Sequence, residues 1–180
     1  MYKRQALNLA AAYAQTGKKV LLIDGDLRKA SLSAFYGGKN ARGLVHLLMN
    51  PQVSPDSVLQ SGKRFPGFDL VTAGPVPPNP VALLTQGRLE ELLRYWRARY
   101  DRIILDGCPY EAVADASLMA RHADLVLYVI RCGMIEKQYV PVIQGLADKG
   151  EFRSGAVILN AENFKNSRFH YYDEYSETDG

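Results

Sequence analysis

Three aspartates stand where a chain can most easily build chemistry. The apolar run Val20-Leu21-Leu22-Ile23 leads into Asp24-Gly25-Asp26-Leu27-Arg28, and Ile103-Ile104-Leu105 leads into Asp106. A later run, residues 156–159, ends at Asn160. If these runs are strands of one parallel sheet, the residues that follow them share a rim, and ligands of open α/β sheets bind at that rim. Carboxylates gathered there repel one another unless a cation sits among them. Magnesium carrying phosphates suits the set, because it takes one or two carboxylates and fills its shell with water and phosphate oxygens. A lone aspartate in such a place more often caps the next turn or helix. The three together, on strands ending at one edge, favour a nucleotide site.

The elements that must position these residues can be read from the apolar pattern. Runs of strand length occupy residues 20–23, 68–73, 103–105, 125–130 and 156–159. Helical spacing fills residues 6–15, 80–99, 112–121 and 135–149. Short, nearly all-apolar strands alternating with helices predict a mostly parallel sheet covered on both faces, an α/β/α sandwich. Residues 37–42 and 74–80, rich in Gly, Pro and Asn, read as loops. The stretch 88–99 carries leucines and Trp96 on one face and arginines on the other. It reads as a helix packed on the sheet with a solvated basic face. That face could instead touch an anionic membrane surface. The apolar pattern fades after Asn160, so residues 1–165 are expected to form the domain and 166–180 a flexible tail.

Composition bounds the remaining possibilities. With 180 residues, 47% hydrophobic and 23% charged, the chain is an ordinary globular one. A net charge of +3 is too weak to point to nucleic acid. No apolar run reaches the ~18 residues of a membrane span. The apolar stretch 6–14 contains Asn8 and continues into a helix and strand pattern, unlike a signal peptide. Any membrane link is therefore expected outside this chain. Cys108 and Cys132 show no zinc spacing and are expected to be reduced, buried thiols. His46, His122 and His170 are scattered and read as ordinary helix or surface residues.

Residues 20–29 resemble the second Walker motif, A-prime, of the bacterial tyrosine kinases, in which an apolar strand runs into Asp-x-Asp-Leu-Arg. Ile103-Ile104-Leu105-Asp106 resembles their Walker B strand. Gly74-Pro75-Val76-Pro77-Pro78-Asn79-Pro80 resembles a loop and helix start common in the family. Asn8-Leu9-Ala10 through Gly17-Lys18-Lys19 resembles the helix after their phosphate loop, and Tyr171, Tyr172 and Tyr175 resemble their C-terminal tyrosine cluster. The A-prime motif is shared with MinD and ParA ATPases; the proline loop and the tyrosine tail point to the kinases.

The resemblance implies a P-loop NTPase-like fold using ATP and Mg2+. It assigns Asp24 and Asp106 to the magnesium, the latter through water, and Asp26 to orienting or deprotonating a tyrosine hydroxyl. Arg28 would contact phosphate or the incoming substrate segment. Asn160 would lie near the base, and the tail tyrosines would be phosphoacceptors. It further implies control of capsular or exopolysaccharide synthesis and export at the cytoplasmic face of the membrane. The implied partners are a transmembrane copolymerase segment in the same or a separate chain, a tyrosine phosphatase, and further copies of the kinase.

The phosphate loop Gly-x-x-x-x-Gly-Lys-Ser/Thr does not occur in the sequence. Gly17-Lys18, Gly38-Lys39 and Gly62-Lys63 lack the following hydroxyl. The resemblance places that loop where Met1 to Gln5 stand, with the first strand upstream. The chain is thus expected to be N-terminally truncated, to leave a central slot in its sheet, and to be inactive and aggregation-prone alone. Departures from the family pattern are Ala30 for Pro, Gly107-Cys108-Pro109 for Thr-Pro-Pro, and Ala82 for an acidic residue. The competing readings are a MinD- or ParA-like ATPase and a non-catalytic module that docks to a partner.

Overall fold

In the computed structural model, two pins at the start of neighbouring strands decide where the acidic residues end up. The structure describes residues 3–30, 42–61, 67–108, 114–133, 141, 145 and 154–161. The chain divides into two units, Met1–Ala123 and Asp124–Gly180.

The first unit opens with α1 (Lys3–Gln15) and β1 (Val20–Asp24). Gly17 stops the helix: its φ of 78° is left-handed, and its N–H donates to the Ala14 carbonyl at 2.9 Å. Next come α2 (Leu44–Met49), a 3-10 turn (Pro55–Val58), β2 (Gln60–Ser61) and β3 (Phe68–Val71). The helices α3 (Pro80–Leu84) and α4 (Arg88–Arg97), β4 (Arg102–Asp106) and α5 (Ala114–Ala120) complete it. The sheet order is β2-β3-β1-β4, with β1 parallel to β3 and β4, and β2 antiparallel to β3. Among the described residues β4 ends this order.

Every residue of β1 is buried, as a central strand with helices on both faces requires. Val20 and Leu22 face one layer, packing with Leu7 and Ala10 of α1 and with Phe68 and Leu70. Leu21 and Ile23 face the other, with Leu44 and Leu47 of α2 and Leu89, Leu92 and Trp96 of α4. Each such side chain contributes about 1.5–3 kcal/mol by leaving water. The two-residue alternation of the pleat thus builds two cores from one strand.

The register is set at the other end of the strands. Lys19 donates its N–H to the Asp101 carboxylate at 2.8 Å, and its carbonyl accepts from Asp101 N–H at 2.8 Å. With β1 and β4 pinned there, Val20 lies opposite Arg102 and Asp24 opposite Asp106.

Two expectations need correction. The single helix over residues 80–99 is two helices. Asn79 caps the first by accepting the Ala82 N–H at 3.1 Å, and Gly87, at φ 75°, turns the chain before the second. Arg94 and Arg97 of α4 remain on the solvated face, whereas Arg88 is mostly covered and donates to the Leu47 carbonyl at 3.4 Å and the Pro51 carbonyl at 3.2 Å; the exposed Arg94–Glu90 pair contributes little. The cysteines are free but only half-buried, because each lies just past the end of a strand. His46 is a helix residue of α2, as expected, and its Nδ1 accepts the Gly43 N–H at 3.2 Å at the N-terminus of that helix.

The second unit pairs β5 (Val126–Arg131) with β6 (Gly155–Asn160) in parallel, Val126 opposite Gly155 and Arg131 opposite Asn160. The helix expected over residues 135–149 falls outside the described residues except at 141 and 145.

Candidate nucleotide-binding rim

At the carboxyl end of β1, Asp24 is fully buried and lies opposite Asp106 on β4. Adjacent strands run ~4.8 Å apart, so two carboxylates leave the sheet side by side. Gly25 N–H donates to the Asp106 carbonyl at 2.9 Å, which extends the strand pairing one residue into the turn. Asp24 Oδ1 accepts the Asp26 N–H at 3.2 Å. Asp26, also buried, uses Oδ1 to accept the N–H groups of Arg28 at 3.3 Å and Lys29 at 3.1 Å. Asp24 therefore folds the turn that displays Asp26, and Asp26 folds the turn that carries Arg28. The capping role that a lone aspartate would have is real for both, and it coexists with their position on the rim.

The turn closes with Ala30 N–H on the Asp26 carbonyl at 2.9 Å, and Ala30 sits at φ 44°. Proline, held near −65°, could not take that conformation.

Helix α5 packs against the same turn. A Cβ on Gly25 would lie 2.6 Å from Met119 Sδ and 3.3 Å from the Asp106 carbonyl, so a larger residue there would have to displace the Met119 side chain. One helical turn earlier, Asp115 binds Arg28: Nε donates to Oδ2 at 2.8 Å and Nη2 to Oδ1 at 3.1 Å. That hydrogen-bonded carboxylate raises the guanidinium pKa further. The Cys108 thiol, on the loop after Asp106, is pushed up by burial first and then by the charges of Asp115 and Asp26.

The structure therefore brings Asp24, Asp26, Asp106 and Arg28 to one mouth of the first unit. Asn160 belongs to the second unit, at the end of β6, where its Oδ1 accepts the Ala161 N–H and its carbonyl accepts the Cys132 N–H, both at 2.9 Å. Tyr171, Tyr172 and Tyr175 lie outside the described residues. Sequence reasoning missed Asp115. The available signal was an acid in the first turn of a short alanine-rich helix, which ordinarily reads as a favourable helix-end charge.

The donor set fits magnesium with phosphates better than a protein-caged metal. Among the described residues no group of three or more His, Cys, Asp or Glu side chains could hold an ion alone. Two adjacent carboxylates are what magnesium takes when phosphate and water supply the rest. No helix of the described residues is long and apolar enough to cross a membrane.

Several known proteins resemble this chain. The family described as AAA domain matches residues 4–144. The tyrosine-protein kinase YwqD of Bacillus subtilis is 38% identical over 168 residues, which cover 93% of this chain and 70% of that protein. The kinase domain of Escherichia coli tyrosine kinase ETK superposes with a TM-score of 0.77 at 34% identity, covering 84% of this chain and 59% of that one. This chain thus spans about three fifths of the ETK structure. The kinase domain of VpsO gives a TM-score of 0.78 at 36% identity, covering 88% of this chain and 77% of that one. Two more distant likenesses show the fold alone. They are MinD in the MinC:MinD complex of Aquifex aeolicus (21% identity, TM-score 0.72) and a Mycobacterium smegmatis cobyrinic acid a,c-diamide synthase with bound ATP analog and magnesium (20%, 0.68). The fold is α/β and P-loop NTPase-like, with a mostly parallel sheet and flanking helices.

Proposed function

The chain belongs to the bacterial tyrosine-protein kinases, and on that premise we propose that its aspartate rim is the magnesium and acceptor side of a tyrosine phosphorylation site. The observation that carries this reading is the level pairing of Asp24 with Asp106 at the ends of adjacent parallel strands, with Asp26 at the next turn.

Asp24 and Asp106 would hold magnesium, which supplies charge neutralisation for the phosphates of ATP. Asp26 orients the hydroxyl of an incoming tyrosine and accepts its proton. Arg28 contacts phosphate or the acceptor segment. Phosphoryl transfer asks little covalent help of a protein; it asks for in-line placement and neutralised charge, which a fixed rim of this kind provides. Asn160 serves the base-binding edge in this proposal, and Tyr171, Tyr172 and Tyr175 on the tail 166–180 serve the domain 1–165 as acceptors. The setting is the cytoplasmic face of a bacterial membrane, beside a copolymerase segment. There phosphorylation, reversed by a tyrosine phosphatase, controls assembly of copies and so capsular or exopolysaccharide export.

Since Gly-x-x-x-x-Gly-Lys-Ser/Thr is not among these 180 residues, the test supplies it. An apolar strand and a Gly-x-x-x-x-Gly-Lys-Thr loop are fused ahead of Ala6, and the product is incubated with magnesium and labelled ATP. Phosphotyrosine should form, and Asp26→Asn should abolish it while nucleotide binding persists. A fusion that folds and binds magnesium ATP yet yields no phosphotyrosine would defeat the kinase reading in favour of a non-catalytic docking module.

A further inference from the structure

Arg28 and Asp115 are 87 positions apart in the chain, yet they meet in two parallel hydrogen bonds. The Asp115 side chain is 2% exposed and that of Arg28 is 43% exposed. The carboxylate is therefore the anchored member and the guanidinium the one that faces outward. A two-point grip fixes the plane of a guanidinium as well as its position. Arginine carries five N–H donors, of which Asp115 engages two, so a held Arg28 still has donors to offer an anion. Its backbone is also held, with the Arg28 N–H on Asp26 Oδ1 at 3.3 Å. Both ends of this long side chain are thereby set, one by the candidate acceptor of the tyrosine proton and one by α5. Met119, one turn after Asp115, packs against Gly25 and keeps the helix seated on the turn.

We propose that Asp115 is a positioning residue that holds Arg28 as the anion-binding guanidinium of the rim, so that a phosphate is met in a fixed orientation next to Asp26. This inference rests on the kinase reading of the rim. A flexible arginine loses rotamer freedom when it binds an anion. With Asp115 in place that loss is taken on folding. The simpler alternative is that the pair only ties α5 to the turn. That role would alter thermal stability and leave anion affinity unchanged.

The 180-residue protein, labelled with 15N, is titrated with magnesium pyrophosphate while the arginine Nε–Hε resonances are followed. The Arg28 resonance should move as the probe binds weakly, in the millimolar range. Asp115→Asn, which keeps shape and one acceptor, should weaken binding about ten-fold, as the two-point charged grip is lost. Arg28→Lys should weaken it comparably, and the double variant no further, because both act through one guanidinium. Equal affinity in wild type and Asp115→Asn, with Arg28→Lys impaired, overturns the inference and leaves the kinase reading standing. Binding that leaves the wild-type Arg28 resonance unmoved overturns it without any variant. No binding by wild type at about 20 mM overturns the inference and leaves the kinase reading to the phosphate-loop fusion. Loss of magnesium dependence in Asp24→Asn tests that reading separately.

Discussion

Replacing Asp106 by Asn should make the metal-free protein more stable and its magnesium-bound form no better than the metal-free one. Asp24 and Asp106 are direct partners across β1 and β4. With strands ~4.8 Å apart, their carboxylates stand about 5–6 Å from each other. At an effective dielectric near 20, two like charges at that distance repel by about 3 kcal/mol. Asp106 is only partly buried and Arg28 lies on the same rim, so solvent and a countercharge reduce this to about 1–2 kcal/mol. Asparagine keeps the shape and removes one charge. For a protein of this size each kcal/mol moves the midpoint by about 2–4 °C, so a rise of about 2–8 °C is expected. The assay is thermal unfolding by circular dichroism, first with EDTA and then with magnesium. Wild type should gain stability from magnesium and Asp106→Asn should not, so the order of the two proteins narrows or reverses on adding metal. A lower midpoint for the variant in EDTA would show that the pair is not repulsive. An equal magnesium gain in both proteins would show that the ion is held elsewhere. Either result refutes the reasoning.

Three further outcomes are expected. Tyr100 donates its hydroxyl to Asp69 at 2.6 Å, and burial first, then that bond, raises its pKa well above the ordinary 10.0. The folded form resists ionising where the unfolded chain does not. Its contribution is therefore intact below about pH 10 and is lost as pH climbs above it; urea unfolding across pH 8–11 should show a steeper loss in wild type than in Tyr100→Phe. Gly43→Ala would drive a Cβ into the backbone of residues 72–74, 2.6 Å from Gly74 N and 2.8 Å from the Ala73 carbonyl carbon, where nothing can rotate away. A destabilisation of about 2–3 kcal/mol is expected, and one below about 0.5 kcal/mol by urea titration would contradict the close packing of α2 on the β3 end. The 180-residue polypeptide by itself should bind magnesium ATP poorly and yield no phosphotyrosine after incubation with labelled ATP; a positive immunoblot would overturn this.

The apolar runs and the acids after them were legible without coordinates. A short apolar stretch such as Val20-Leu21-Leu22-Ile23, bounded by Gly17-Lys18-Lys19 and Asp24-Gly25-Asp26, reads as an inner strand buried on both sides, and its polar end then lies on the rim. Local chemistry also marked the Asn79-Pro80 helix start, because a capping amide followed by proline has few other uses. The break at Gly87 was harder to read. The step from Leu84 to Leu89 slips off the helical spacing, and the left-handed backbone of Gly87 shows that the period restarts there.

Sequence by itself determined that Asp24, Asp26 and Asp106 stand at strand ends, since hydrophobic periodicity and turn chemistry act between near neighbours. Tertiary structure alone decided that Asp24 and Asp106 are level, through the Lys19–Asp101 pins, and that Arg28 is held by Asp115. Those relations join residues about eighty positions apart, and no local propensity encodes them. They exist only once burial of β1 from both faces has brought β4 and α5 alongside it.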